Sequence, residues 1–221
     1  MTQTNDQRIQ RDVLAELRDE PSVDAAQIGI IVQDGVVTLT GHVPTHGEKG
    51  VAEGAAKRVS GVRAVADELD VKLRADHVRT DEDIAVAAAN ALKWNTFVPR
   101  DAVQATVEKG WTTLDGVVDW MYQKDAGQAA VRHLMGVKSV INLIKLRSRA
   151  HVKPAELKNL IHDALKRNAE LEARRIGIDV HGDKVKLHGD VHSWSEVRAA
   201  RRAAWSAPGV LTVDCQLHIV P

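Results

Sequence analysis

The stretch GVVTLTGHVPTHGEKGVAEGAAKRVSGVRAVADELDV, Gly35–Val71, reads as a strand, a turn, a helix and a second strand, and its spacing returns twice more along the 221-residue chain. Gly41, Gly116 and Gly189 each close a short apolar run whose penultimate residue is leucine (Leu39, Leu114, Leu187). Each is followed twenty residues on by Gly-Val, at Gly61-Val62, Gly136-Val137 and Gly209-Val210. Worked outward from these glycines, the correspondence covers 63 residues in every copy: 9–71, 84–146 and 157–219. Three copies of one small module therefore fill nearly the whole chain, and domains are expected at 1–73, 80–148 and 153–221.

Each copy begins with three apolar residues four apart: Ile9, Val13, Leu17; Ile84, Ala88, Leu92; Leu157, Ile161, Leu165. That spacing lays one buried stripe along an amphipathic helix. Thr80 with Asp83 three residues on resembles a capping box, and Pro154 suits a first helical turn. A run of period two follows: Ile28, Ile30, Val32; Val103, Ala105, Val107; Ile176, Ile178, Val180. Such alternation puts these side chains on one face of a strand. Turn residues at Asp34-Gly35, Lys109-Gly110 and His181-Gly182-Asp183 predict a hairpin into a second strand. That strand carries Val37 and Leu39, Thr112 and Leu114, or Val185 and Leu187 inward, and is expected to end at the repeated glycine, where a missing side chain permits a bend. A second helix places small residues against the sheet: Ala52, Ala55, Ala56, Val59; Ala129, Ala130, Val131, Leu134; Ala200, Ala203, Ala204, Ala207. Gly61, Gly136 and Gly209 are expected to stop it as left-handed C-caps. A last alternating strand carries Val65, Leu69, Val71 and their counterparts. The fold class is α+β: three tandem αββαβ modules, each a three-stranded mixed sheet with two helices packed on one face.

Formal net charge is zero and the pI is near 7.2, so no whole-chain field would hold the protein on nucleic acid, and nucleic acid is not expected as a partner. No apolar run is long enough to span a bilayer. Met1 to Arg11 is polar and charged, with no apolar export segment, and points to the cytoplasm. The single Cys215 permits no internal disulfide and fits a reducing compartment.

The motif Val37-x-Leu39-x-Gly41-x-Val43, with Leu114-x-Gly116-x-Val118 and Val185-x-Leu187-x-Gly189-x-Val191, resembles the BON domain family, named for bacterial osmotically inducible and nodulation proteins. The second half, Gly136-Val137-x-x-Val140-x-Asn142-x-Ile144-x-Leu146, is similar to the same family, and the resemblance covers all three modules. Asp67 and Cys215 stand where the family often has Asn, which puts a local turn or strand contact in question. Many members of the family are periplasmic or lipoproteins, unlike the reading of this opening stretch. The resemblance implies a non-enzymatic module linked to osmotic or envelope stress that interacts with phospholipid or other envelope components, and it supplies no catalytic residues.

The residues themselves offer little chemistry. His42 with His46, and His188 with His192, lie four apart at strand ends without the third and fourth ligands that zinc needs, so no metal or other cofactor is expected and the histidines read as solvated loop residues. No nucleophile context and no phosphate loop occurs. Cys215 falls on the inward phase of the last strand and reads as an inert buried thiol. Differences between copies are more informative. Copy one has 6 basic and 11 acidic residues, net −5; copies two and three are each +2. Arg198, Arg201 and Arg202 share one helix face in copy three, with Arg174 and Arg175 shortly before its first strand, a set that could hold phosphate head groups or simply face solvent. Trp94, Phe97 and Val98, at the end of the first helix of copy two, make an apolar spot suited to a membrane interface, or a lid over the module's own core. Trp111, Ile141 and Leu143 fall on the outward phase of the sheet in copy two, where copy three has Lys184, Asp214 and Gln216. Packing against the sheet of copy one, at Ile31 and Val36, is the expected cover. The leading expectation is a stress-related binding or scaffold protein that meets an anionic phospholipid surface through Trp94, Phe97 and the arginine face. The alternatives are a chaperone-like or adaptor protein using Trp111, Ile141 and Leu143, and a protein that binds a small ion or solute between modules.

Overall fold

The computed structural model describes residues 2–73, 75, 78–147, 152–168 and 175–220. Arg174 and the terminal residues Met1, Ser148 and Pro221 of the expected domains lie outside the described residues.

The order helix, strand, strand, helix, strand occurs three times. The first module has α1 (Thr2–Arg18), β1 (Ile28–Gln33), β2 (Val36–Val43), α2 (His46–Arg58) and β3 (Ala64–Val71). In the second are α3 (Asp81–Trp94), β4 (Val103–Glu108), β5 (Trp111–Val118), α4 (Met121–Val131), β6 (Ser139–Asn142) and β7 (Lys145–Leu146). The third comprises α5 (Pro154–Lys166), β8 (Ile176–His181), β9 (Lys184–Val191), α6 (Trp194–Trp205) and β10 (Thr212–Ile219). The middle strand of each sheet pairs antiparallel with the strand before it and parallel with the strand after it. A parallel pair needs a crossover, and α2, α4 and α6 supply it. The chain divides into two compact units. One runs to Val118 and takes in Tyr122–Lys145; the other takes Asp119–Met121 with Leu146 onward.

The helical stripes are the cores. Ile9, Val13 and Leu17 are buried, as are Ile84, Ala88 and Leu92, and Leu157, Ile161 and Leu165. In the first module they pack with Val37, Leu39 and Leu69 beneath Ala52, Ala55 and Ala56. In the third they pack with Val185, Leu187, Ala200 and Ala204. Thr80 and Asp83 close a full capping box on α3, each accepting the other's backbone N–H, and Pro154 opens α5 at its first turn. The bond from Thr80 holds the Asp83 carboxyl below the usual aspartate range.

The repeated glycines have different reasons from those expected. Gly41, Gly116 and Gly189 do not end their strands, which run on to Val43, Val118 and Val191. All three have positive φ, and an added Cβ would lie 2.0–2.1 Å from the carbonyl oxygen of Gln27, Ala102 or Arg175. The backbone entering the first strand crosses the glycine at a distance no side chain tolerates. Gly61 and Gly136 do not cap helices either, since α2 and α4 stop at Arg58 and Val131. Each stands third in a four-residue turn closed by Val62 N–H on the Val59 carbonyl (3.3 Å) or Val137 N–H on the Leu134 carbonyl (3.2 Å). Their φ values of 90° and 88° suit that position of a type II turn. Gly209, at φ 86°, likewise follows the end of α6 at Trp205. The inward face of α4 is also shifted: Gly127 and Val131 are buried while Ala129 is exposed.

One lysine and one strand residue distinguish the three modules. Lys49 Nζ donates to the Leu69 carbonyl (2.6 Å) and reaches Asp67 Oδ1 at 3.3 Å. Lys124 Nζ donates to the Ile144 carbonyl (2.7 Å), and Asn142 Nδ2 donates to the Lys124 carbonyl (3.2 Å) and Gln128 Oε1 (3.1 Å). Asp67 and Asn142 each also accept the backbone N–H two residues on. These bonds tie the crossover helix to the last strand. At the corresponding places the third module has Val197, buried, and Cys215, half-buried against the core. The polar tie there is replaced by an apolar one.

Candidate functional site

Three surfaces carry side chains that the cores do not use. The first lies where α3 ends. Lys93 and Trp94 close the helix, Asn95 accepts the Phe97 N–H on its side chain (2.9 Å), and this local turn throws Phe97 outward while Val98 turns in. Trp94 is 82% exposed and Phe97 61%, whereas Val98 is 8% exposed. Val98 therefore belongs to the core and not to the surface spot in which it was expected, and Trp94 is no lid. Tyr122, from the first turn of α4, completes the spot: its ring meets Phe97 edge to face, 6.2 Å between centroids, and is 54% exposed. Sequence reasoning missed Tyr122, although its place at the start of the crossover helix, opposite the end of the first, marks it as a neighbour of Phe97.

The second surface is the outer face of the sheet in the second module. Trp111, Ile141 and Leu143 are between 41% and 54% exposed, and Ile31 and Val36 of the first module are exposed too. The expected cover of one sheet by the other is absent; the helices of each module pack on the inner face alone. The third surface is on α6. Arg198, Arg201 and Arg202 are exposed on the face opposite Ala199, Ala200, Ala203 and Ala204, and none forms an ion pair among the described residues. The Arg175 guanidinium meets His192 Nε2 at 2.8 Å.

His46 is not a solvated loop residue, and the exposed His133 lies beside it. His133 lies on Gly47, where an added Cβ would stand 2.3 Å from its Nδ1, and Arg132 Nε–H donates to its Nε2 (2.8 Å). Beside them His46 has a buried Nδ1 without a hydrogen-bond partner. Burial holds its pKa below the ordinary histidine value, helped by Lys49 and Arg132 and opposed by Asp67. Burial, then Arg132, does the same to His133. Among the described residues no group of three or more His, Cys, Asp or Glu could hold a metal ion, and no described helix is long and apolar enough to cross a membrane.

This geometry defines a tandem array of small mixed-sheet modules whose distinguishing chemistry, among the described residues, is on their outer surfaces. The chain belongs to the BON domain family, whose pattern matches residues 5–72, 80–148 and 155–221. It is similar to osmotically-inducible protein Y of Escherichia coli (strain K12), 30% identical over 152 residues that span 65% of this chain and 73% of that protein. It is also similar to a 21 kDa hemolysin of Actinobacillus pleuropneumoniae, 27% identical over 146 residues, 65% of this chain and 75% of that one. Among solved structures, CdsD, a structural protein of the type III secretion system of Chlamydia trachomatis, aligns over 96% of this chain and 91% of its own at 14% identity and a TM-score of 0.29.

Proposed function

We propose that this protein is a non-enzymatic, stress-related binding protein that docks on anionic phospholipid surfaces. The observation that carries the reading is the aromatic spot of Trp94, Phe97 and Tyr122, three large rings held outward at one end of the second module. The rings of Trp94 and Tyr122 join an apolar body to a polar tip, which favours the membrane interface, and Phe97 adds apolar area. Arg198, Arg201 and Arg202, exposed and without an ion pair among the described residues, supply the charge for anionic head groups. Similarity to an osmotically-inducible protein supports the link to stress.

Co-flotation with anionic and with neutral vesicles, at low and high salt, tests it. Selective flotation with anionic vesicles that weakens in salt is expected. Trp94→Ala combined with Phe97→Ala should abolish it without lowering Tm, since neither ring packs in a core. Flotation that survives these changes, or that never occurs, overturns the reading. A second reading is favoured by the uncovered sheet face: an adaptor that engages a protein through Trp111, Ile141 and Leu143. There Leu143→Asp alone would disrupt the complex while leaving flotation intact.

A further inference from the structure

We infer that the cleft where the first module passes into the second is a binding site for a phosphate-bearing anion. The cleft has a volume of about 500 Å³ and lies within the first compact unit, between the end of β3 and the β4–β5 turn. That is the size of a small-molecule site. Among the described residues its charged lining is Lys72, Arg79, Lys109 and Lys138 with one carboxylate, Asp81.

The carboxylate is already engaged. Asp81 Oδ2 accepts the Lys109 N–H at 2.7 Å and Oδ1 the Gly110 N–H at 2.8 Å, so it fixes the turn that carries Lys109. Lys138 is held by the same turn: its N–H donates to the Gly110 carbonyl at 2.9 Å, and its stem lies across Gly110, where an added Cβ would meet it at 3.2 Å. Lys72 is tethered separately, by its N–H on the Val43 carbonyl (2.9 Å). Three lysines from three separate stretches thus have their backbones fixed around the cleft, and all three line it. Among the described residues Lys72 and Lys138 form no ion pair, and Lys109 reaches Glu108 only at 3.7 Å, both side chains more than 80% exposed, a contact of little worth. Arg79 is occupied by the Val78 carbonyl and Met135 Sδ, and adds field to the cleft more than a donor.

Comparison between the modules separates this charge from the needs of the fold. The counterparts of Lys109 are Asp34 and Gly182, and that of Lys138 in the third module is Leu211, yet all three hairpins form. Arg63 and Arg147 stand at the places of Lys138 and Lys72 in other copies, but the full set of Lys72, Arg79, Lys109 and Lys138 occurs at this one junction. Ammonium groups sharing the lining of one cleft repel one another until an anion of more than one charge enters, and lysine binds phosphate as a point charge without needing the planar fork of arginine. Leu73 and Val78 give the uncharged part of an ester an apolar wall. The phosphate could be that of a soluble ester or of a lipid head group.

The test is titration calorimetry of the full chain with inorganic pyrophosphate, at fixed ionic strength, beside flotation with phosphatidylglycerol vesicles. Binding of pyrophosphate is expected, weakened about tenfold by Lys109→Gln and again by Lys138→Gln, as the loss of one charge-assisted contact each requires. Lys158→Gln, on the exposed face of α5, should leave it unchanged. Competition of pyrophosphate with vesicles would assign the phosphate to a lipid head group, and pyrophosphate binding without competition to a soluble ester. No pyrophosphate binding and no effect of the two lysines on flotation, or binding indifferent to both, overturns the site. The inference stands apart from the membrane reading: the Trp94 and Phe97 changes that abolish flotation leave pyrophosphate binding intact.

Discussion

His46 and Gly47 show how much a single residue can decide. Without a side chain at Gly47, the ring of His133 can lie on α2, and the crowding buries His46 Nδ1. Partial burial, with cationic Lys49 and Arg132 alongside, lowers the pKa of His46, and desolvation with Arg132 lowers that of the more exposed His133. A histidine whose pKa is lowered on folding favours the folded state fully above the ordinary histidine value, and that stability is lost as pH falls through the lowered one. Tm is therefore expected to drop as pH falls from 7.5 to 5. The second module has Met121 at the place of His46, so His46→Met should flatten the pH profile; a profile of unchanged slope would show that His46 does not set it. None of this was legible in the sequence, where the two residues are far apart and each histidine reads as a solvated loop group.

At the scale of elements, the helices and strands were legible because each has its own period. Stripes four apart and runs two apart survive in all three copies, and the residues named from them are the buried ones. The crossover helix α4 was misread in part because small residues run on at its middle, Ala126 to Ala130, and leave its inward phase undetermined; contact with Leu92 and Ile144 selects Gly127. The repeated glycines were found by spacing, but their reason lies in a carbonyl from another segment, which spacing cannot show. The tie between crossover helix and last strand makes a testable unit. Val197→Lys alone places an ammonium beside Cys215 without an amide or carboxylate and is expected to destabilise the third module by about 1–3 kcal/mol. Adding Cys215→Asn should restore part of that loss, as urea unfolding of the single and double variants would measure; strict additivity would show that the two positions are not coupled.

For the whole molecule, separate cores in the first and third modules mean that damage stays local. Ile161→Ala is expected to cost the third module about 2–5 kcal/mol. Amide exchange should then quicken across 157–219 and remain unchanged across 9–71; acceleration in both would show one cooperative unit. The triple repeat was fully legible in the sequence. The surfaces were legible only as candidates, because whether a face is covered depends on what the chain packs against it. Trp94, Phe97 and the arginines of α6 were named from sequence and are exposed; the aromatic partner Tyr122 and the lysine cleft come together only through the fold. One further feature bears on solubility. The last strand of a module forms an open border of its sheet, eight residues long in β3 and β10, but in the second module it breaks between β6 and β7. A continuous border next to an oily sheet face would be a template on which neighbouring copies could add strand to strand into fibres. The module with Trp111, Ile141 and Leu143 on its surface is the one whose last-strand border is interrupted, leaving only the six-residue β4 as a continuous edge.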